Sequence, residues 1–470
     1  MQKPHVRCSR RRPQATVPKG LSRMSSNIDV GSILSDGAYY TLADYADRDE
    51  LLEKVTSAFH RGIEAYAGVA ARRAVERDGL KNLHKHFPIE KIHLLEAFLM
   101  KALRDDLYYW SYKVGSETLG LPDPFYVVHL IVFRIHYPHL QARRATKAEE
   151  PPVEWSDRLR VGLATLRNWD ALPGYFAGRG QRQREADAFD PAAYHGKMQV
   201  AARSHGPHVD TWYGHSYDGL NLWLSIDGVN VDNTVIIYPE MFGRPLPFDP
   251  VSMYLAPGVE LSPPLKVELK PGELFVFNPE TLHATQVNIS DETRVALTTR
   301  INPSTPRFSA KAPFHFEHWY SSTELRRRKF WSMKMFPAAR HLGEPSIKER
   351  APYSAARTVR LKTDAKLNGS AVPLCASLVL ENGHKLAVDL ADAKLLVFRD
   401  GAELRAFSRK CPHLGIDLAD GGHDEKQTFC PGHGIGFSWH DGASNCPAFR
   451  LRQFKAYEED GTIFVARELT

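Results

Sequence analysis

Two short segments near the C-terminal end each pair a cysteine with a histidine: Cys411-Pro412-His413 and, sixteen residues further on, Cys430-Pro431-Gly432-His433. Two thiolates and two imidazoles suit either a zinc ion or a [2Fe–2S] centre in which histidines replace two cysteines on one iron, and the spacing alone excludes neither. Gly415, Gly421 and Gly422 near the first segment, and Gly434 and Gly436 in the second, permit tight turns around such a site. A second constellation lies upstream, with His208-Val209-Asp210 in "GPHVDTWYGHS" (206–216) and His283 in "ETLHATQVN" (280–288). Alternate residues of a strand share a face, so His208 and Asp210 point the same way and a distant histidine completes a facial triad. Two histidines and one carboxylate leave three adjacent positions on Fe(II) for oxygen and a cosubstrate.

The elements that must position these groups follow from periodicity. "LNLWLSIDGV" (220–229) alternates, with Leu220, Leu222, Leu224 and Ile226 on one face and Asn221, Trp223, Ser225 and Asp227 on the other. "TVIIYP" (234–239) follows, then "LKPGELFVFNPETLHATQVN" (269–288), in which Pro271-Gly272 turns into a strand that delivers His283. "RVALTTRIN" (294–302) places Arg294 eleven residues after His283 and Arg300 six residues later, on the same face. Strands with polar residues facing inward at intervals are what a double-stranded β-helix of the jelly-roll type needs. From Asp47 to about Lys113 the apolar residues recur three and four apart, which predicts helices that buttress this barrel. "PFYVVHLIVFRIHYP" (124–138) reads as its opening strands, and 154–190 as a charged, partly helical insertion. Around the Cys/His loops, "LLVFRD", "LRAFSRK", "QTFCPG" and "GTIFVAR" are short alternating stretches between Gly and Asp turns, as in a small antiparallel β domain.

The C-terminal stretch "CPHLGIDLADGG…FCPGHGIGFSWHDGASNCPAFRL…YEEDGTIFV" resembles Rieske ferredoxin domains over about residues 366–470. That resemblance implies that Cys411 and Cys430 hold one iron of a [2Fe–2S] cluster and His413 and His433 the other. Such a centre carries one electron at a time, at about −150 to +300 mV. One departure is Gly432, where the family usually has a bulky residue; its loss predicts an exposed histidine-ligated iron or room for a partner surface. Cys446 reads as a small core residue. Residues 190–305 resemble the Fe(II)- and 2-oxoglutarate-dependent oxygenases, especially the phytanoyl-CoA dioxygenase-like branch. By that resemblance His208, Asp210 and His283 ligate a mononuclear Fe(II), and Arg294 clamps the distal carboxylate of 2-oxoglutarate, as a guanidinium fork can. His205 and His215 lack a carboxylate at the right offset and read as neighbours of the site; Trp212, Tyr213, Asn221 and Trp223 are candidates to line its pocket.

The expected organisation is therefore a mainly β protein with N-terminal helices: a basic tail (1–30), a jelly-roll non-haem iron oxygenase domain (31–305), a linker with a short helix (306–365) and a Rieske domain (366–470). Residues 1–23 hold seven basic and no acidic residues, and without them the net charge of +6 becomes 6 − 7 = −1. The basic balance thus belongs to the tail and argues against a nucleic-acid surface on the body. Five scattered cysteines do not form a disulfide framework, which favours the cytoplasm. No run is apolar enough to span a membrane, and the basic run 326–329 reads as a solvated face. No G-x-G-x-x-G opens a helix after a strand, so electrons are expected from an external ferredoxin or reductase, and a homo-oligomer is open. Three functions fit: an oxygenase hydroxylating or desaturating a small molecule with 2-oxoglutarate and O₂, one driven by the Rieske centre without 2-oxoglutarate, and a non-catalytic cupin module with a redox-sensing Rieske domain.

Overall fold

The computed structural model describes residues 28–142, 204–249, 253–308, 318–330, 334–335, 358–367 and 370–467. The expected basic tail, apart from its last residues, and the 154–190 insertion lie outside them. After the short α1 (Val30–Asp36), two long helices dominate the N-terminal part, α2 (Arg48–Asp78) and α4 (Ile92–Lys113), with the single turn α3 (Leu83–His86) between them. On α4, Ile92, Leu95, Leu99, Leu103, Leu107 and Trp110 are buried, a stripe at helical spacing. They share one core with Leu51, Val55 and Phe59 of α2 and with Leu220, Leu222 and Leu224 of the sheet beneath. The helices buttress that sheet as the periodicity predicts.

The sheet contains β1 (Tyr40–Leu42), β2 (Tyr126–Val128), β3 (Val132–His136), β4 (Leu220–Ser225), β7 (Leu274–Phe277), β9 (Arg294–Asn302), β10 (His318–Ser321) and β11 (Lys334–Met335). Its order is β1-β7-β4-β9-β2-β10-β11, with β3 also paired to β9. A second sheet, ordered β6-β5-β8, is made of β5 (Val235–Ile237), β6 (Leu265–Lys266) and β8 (His283–Thr285). Trp223, Phe275, Phe277 and Ala296 of the first sheet and Val235 and Ile237 of the second form a single cluster, so the two sheets face each other as a barrel-like body. All six residues of β4 are buried, although they alternate in polarity. The leucine face meets the helices and the Asn221/Trp223 face meets the barrel interior, so neither side of this strand reaches solvent.

The expected boundaries move. β10 pairs with β2, and the helix Ser322–Arg326 packs on α4, so residues expected in the linker complete the first body. Arg326 to Lys329 are exposed, as a solvated face should be. The second body begins by β12 (Thr358–Lys362), whose pairing with the strand Lys385–Asp389 extends it ahead of residue 366.

That second body is a seven-stranded sheet ordered β12-β14-β15-β16-β19-β20-β13. Its other strands are β13 (Val372–Ala376), β14 (Lys385–Asp389), β15 (Lys394–Asp400), β16 (Glu403–Ser408), β19 (Gln453–Glu459) and β20 (Thr462–Ala466). A separate hairpin, β17 (Gln427–Phe429) and β18 (Gly436–Ser438), carries the second Cys/His loop between its strands. Cys446 is 2% exposed within the core of this body, as expected.

The two bodies are joined by backbone as well as side chains. Asp420 accepts from Gly258 N–H with its carboxylate and from Leu261 N–H with its carbonyl, both at 2.9 Å. Asn445 Nδ2 donates to Asp232 at 2.8 Å, and Val287 and Ile289 of the barrel sit in the core cluster that contains Cys411 and Cys430. Glycine is required at the closest approach, because a Cβ on Gly422 would lie 2.3 Å from the backbone of Ser262 and Pro263. Gly422→Val is therefore expected to cost about 1–3 kcal/mol through overpacking and to prise the bodies apart. Small-angle scattering should show a larger radius of gyration while the far-ultraviolet spectrum keeps its β signature.

Candidate mononuclear metal centre and its neighbouring Cys/His cluster

His208, Asp210 and His283 converge in the barrel interior, with one ligand atom from each lying within 4.8 Å of the others. The route to this convergence differs from the expected strand. His208 forms an isolated bridge with His283, each backbone N–H donating to the other's carbonyl at 2.9 and 3.0 Å. Val209 is extended (φ −107°, ψ 144°), and Asp210 already opens a 3₁₀ turn, Asp210–Tyr213. One extended residue is enough to turn both side chains to one side.

Orientation is set by hydrogen bonds behind the ligands. The His208 Nδ1–H donates to Gly206 O at 2.7 Å and the His283 Nδ1–H to Thr281 O at 2.8 Å, which leaves both Nε2 atoms facing the centre. Each Nε2 is 3.8 Å from Asp210 Oδ1. The other carboxylate oxygen, Oδ2, accepts from Asn221 Nδ2 at 2.6 Å and from Arg300 Nη2 at 3.1 Å. Asp210 thus offers one oxygen to the centre and holds its place with the other. Tyr213 and Phe277 turn ring faces or edges toward His208 and His283, at 5.1 and 5.2 Å.

Electrostatics keep all three groups in their ligating forms. Burial holds His208 well below its ordinary pKa and lowers His283, so both imidazoles are neutral. Burial would raise the Asp210 carboxyl, but the Arg300 guanidinium beside it holds it well below the usual carboxylate range. Donor set, tautomers and charge fit a divalent first-row ion with open positions.

The triad opens on a cavity of about 70 Å³ that Arg294 and Arg300 also line. Arg294 is 2% exposed; its Nη1 donates to Asn233 O at 2.9 Å, and its cation lies 5.9 Å from the Trp223 ring. Arg300 is committed to Asp210, which separates the roles of two arginines that periodicity placed on one face. Asn221, Trp223 and His205 line the cavity, whereas Trp212 stacks on Phe248 at 5.0 Å. Arg134 of β3 is an additional cavity residue missing from the sequence reading. Its signal was the "VFRIH" alternation, which sets one charged side chain between Phe133 and Ile135.

The Cys/His loops are two copies of one turn. In the first, Gly415 N–H donates to Cys411 O and Cys411 N–H to Ile416 O; in the second, Gly434 N–H donates to Cys430 O and Cys430 N–H to Ile435 O, all at 2.8–2.9 Å. Gly415 (φ +72°) and Gly434 (φ +65°) occupy the left-handed positions that these turns require. The two thiols hydrogen-bond each other, which raises Cys411 and lowers Cys430. Amides of Gly432 and His433 point at the Cys430 sulphur, and those of His413 and Leu414 at the Cys411 sulphur. The His413 and His433 rings lie 4.8 Å apart. Two adjacent thiols facing amide donors, with two adjacent imidazoles, fit a cluster held by Cys411 and Cys430 on one side and His413 and His433 on the other. The expected consequence of Gly432 is met only in part: His433 is 2% exposed and Ile416 approaches, its Cδ1 2.2 Å from where a Cβ on Gly432 would lie, yet Gly432 and His433 line a cavity of about 230 Å³ and His413 is partly exposed.

Asn221→Ala is expected to weaken Co(II) binding at the triad by about 10- to 100-fold, and His208→Ala by more, in calorimetric titrations. The buried neutral histidines also predict a pH effect on metal-free protein. Their folded pKa values lie below the unfolded 6.5, so below that pH the unfolded chain binds protons that the folded site refuses, and stability falls as pH drops. Melting temperatures at pH 7.5 and 5.5 test this; His208→Gln should flatten the difference.

Comparison with known proteins bears on the second body. Residues 370–455 match the family described as Rieske [2Fe-2S] domain. Apoptosis-inducing factor 3 of Mus musculus and of Homo sapiens are each 37% identical over 65 residues, 14% of this chain. The chain spans only 11% of the length of these curated relatives. Among solved structures, the ferredoxin of carbazole 1,9a-dioxygenase from Nocardioides aromaticivorans IC177 is 27% identical, covering 21% of this chain and 100% of that one, at a TM-score of 0.20. The Sphingomonas yanoikuyae B1 ferredoxin is 24% identical with the same coverage and TM-score. With the family match spanning both Cys/His loops, residues 370–455 of this protein are a Rieske [2Fe-2S] domain.

Proposed function

We propose that this protein is a non-haem iron oxygenase that hydroxylates or desaturates a small molecule, using 2-oxoglutarate and O₂ and receiving electrons through its fused Rieske domain. The observation that carries this reading is the pairing of a His-Asp-His centre with a buried, backbone-anchored arginine in one cavity. An Fe(II) ion, which His208, Asp210 and His283 would hold, would supply oxygen activation there. For a hydroxylation the balance closes without Rieske electrons, since a substrate C–H, O₂ and 2-oxoglutarate become C–OH, CO₂ and succinate; the fused domain's electrons would serve to restore ferrous iron after a turnover that leaves the substrate unoxidised.

The residues have separable tasks. His208, Asp210 and His283 hold the ion, and Arg300 and Asn221 keep Asp210 aimed at it. Arg294, at the other end of the same strand, grips the distal carboxylate, and the interior packing of Trp223 and Phe277 excludes water. Two facing sheets with a helix-covered outer face support the jelly-roll reading and the likeness to phytanoyl-CoA dioxygenase-like enzymes.

The Rieske domain lies one strand away. A Cβ on Gly434 would touch Ile236 Cδ1 at 2.6 Å, and Ile236 and Ile237 of β5 pair with Ala284 and His283 of β8. That contact supports electron delivery within one chain, and it favours a second reading in which reductant alone drives oxygen use and Arg294 holds a substrate carboxylate.

Oxygen uptake by anaerobically reconstituted protein, with 2-oxoglutarate and a reductant supplied separately and succinate quantified, tests both. Stoichiometric succinate that falls at least about 100-fold in Arg294→Ala is the expected result. Uptake that needs only reductant, makes no succinate and fails in Cys411→Ser would transfer the conclusion to the second reading.

A further inference from the structure

The cavity beside the triad carries more positive charge than its own residues answer. Three guanidiniums line it, Arg134, Arg294 and Arg300, with one carboxylate, Asp210, an excess of 3 − 1 = 2 positive charges that a divalent ion would enlarge. Arg300 is neutralised by Asp210. Arg294 rests on the uncharged carbonyls of Asn233 and Thr234, and among the described residues its Nε has no hydrogen-bond partner. Arg134 is the least answered. The charges that bear on it are Arg300, which opposes it, and Glu96 and Asp210, which favour it, and among the described residues no carboxylate forms an ion pair with it. Its place is defined by register: Arg134 faces Ala296 while His136 faces Arg294, so Arg134 stands between the Arg294 end of β9 and the Arg300–Asp210 end.

Arg134 is only partly buried, so its guanidinium stays open to the cavity, and a planar fork matches a planar oxoanion. We propose that Arg134 is the seat of a second carboxylate, beside the one gripped by Arg294, so that the cavity takes two carboxylates at once. This rests on the reading of Arg294 as the cosubstrate clamp. The second carboxylate belongs either to the 2-oxo-acid end of the same dicarboxylate or to an anionic substrate. The chemistry is shared, and the small cavity, about 70 Å³, requires a compact occupant in both cases.

Calorimetric titration of the full-length, cluster-loaded protein carrying Co(II) separates the sources. The probes are 2-oxoglutarate, 2-oxopentanoate, which lacks the distal carboxylate, and propanoate added to protein saturated with 2-oxoglutarate, with propanamide as the uncharged control. Arg134→Gln is expected to weaken at least one carboxylate probe by about 10- to 100-fold, with Arg134→Lys recovering part of the loss. Weakened 2-oxoglutarate and 2-oxopentanoate assign the seat to the cosubstrate; weakened propanoate alone assigns it to the substrate. Carboxylate probes that bind Arg134→Gln and Arg134→Lys as they bind the wild type overturn the proposal. The clamp is judged separately: if Arg294→Gln binds 2-oxoglutarate like the wild type, the reading of Arg294 fails while the Arg134 result stands.

Discussion

The pairing of β5 with β8 is the constraint on which the candidate triad and the Cys/His cluster both depend. A strand presents alternate residues to opposite faces, so Ile237 joins the barrel interior beside His283 while Ile236 faces the Cys430–His433 loop. A slip of one residue would turn Ile236 inward and remove the surface against which the Rieske loop packs. The register is held from both sides, since Tyr238 N–H donates to Leu282 O and Gln286 N–H to Thr234 O.

Around that strand the protein separates two kinds of rigidity. At the triad, side-chain orientation is imposed by carbonyls two residues before each histidine and by Asn221 and Arg300 behind the carboxylate. At the Cys/His loops it is imposed by backbone turns, with amides pointed at sulphur. The difference matches the ligands: a histidine needs its ring rotated into place, whereas a thiolate needs donors that stabilise its charge. His139, at the start of the single-turn helix His139–Ala142, packs edge-on against His413 at 5.1 Å and donates its backbone N–H to Asn288 O. The barrel therefore reaches both histidine-bearing loops, one through β5 and one through this turn.

Arginines show how burial assigns roles that spacing leaves open. Arg294 and Arg300 share a face of β9, yet Arg300 is closed onto Asp210 while Arg294 keeps part of its fork unused, its pKa lowered by burial to about 9. Burial of this kind is tolerated where a ligand supplies the missing charge. The interior consequently sets aromatic rings beside polar groups, Trp223 next to Arg294 and Phe277 next to His283.

Sequence by itself determined the ligand types and the local geometry around them. The four Cys/His residues were legible because glycines and prolines impose their turns within a few positions, and the long helices because apolar spacing is a local property. It also singled out His208, Asp210 and His283, which the fold brings together, since one extended residue suffices to align two side chains. Tertiary structure alone decided what depends on distant contacts: that β4 is buried on both faces, that residues 318–326 complete the barrel, that Ile416 approaches Gly432, and that Arg134 enters the cavity. Each of these is set by which strand lies next to which. Period-two alternation specifies only which residues share a face, and the neighbour that covers that face is chosen by the packing of segments far apart in the chain.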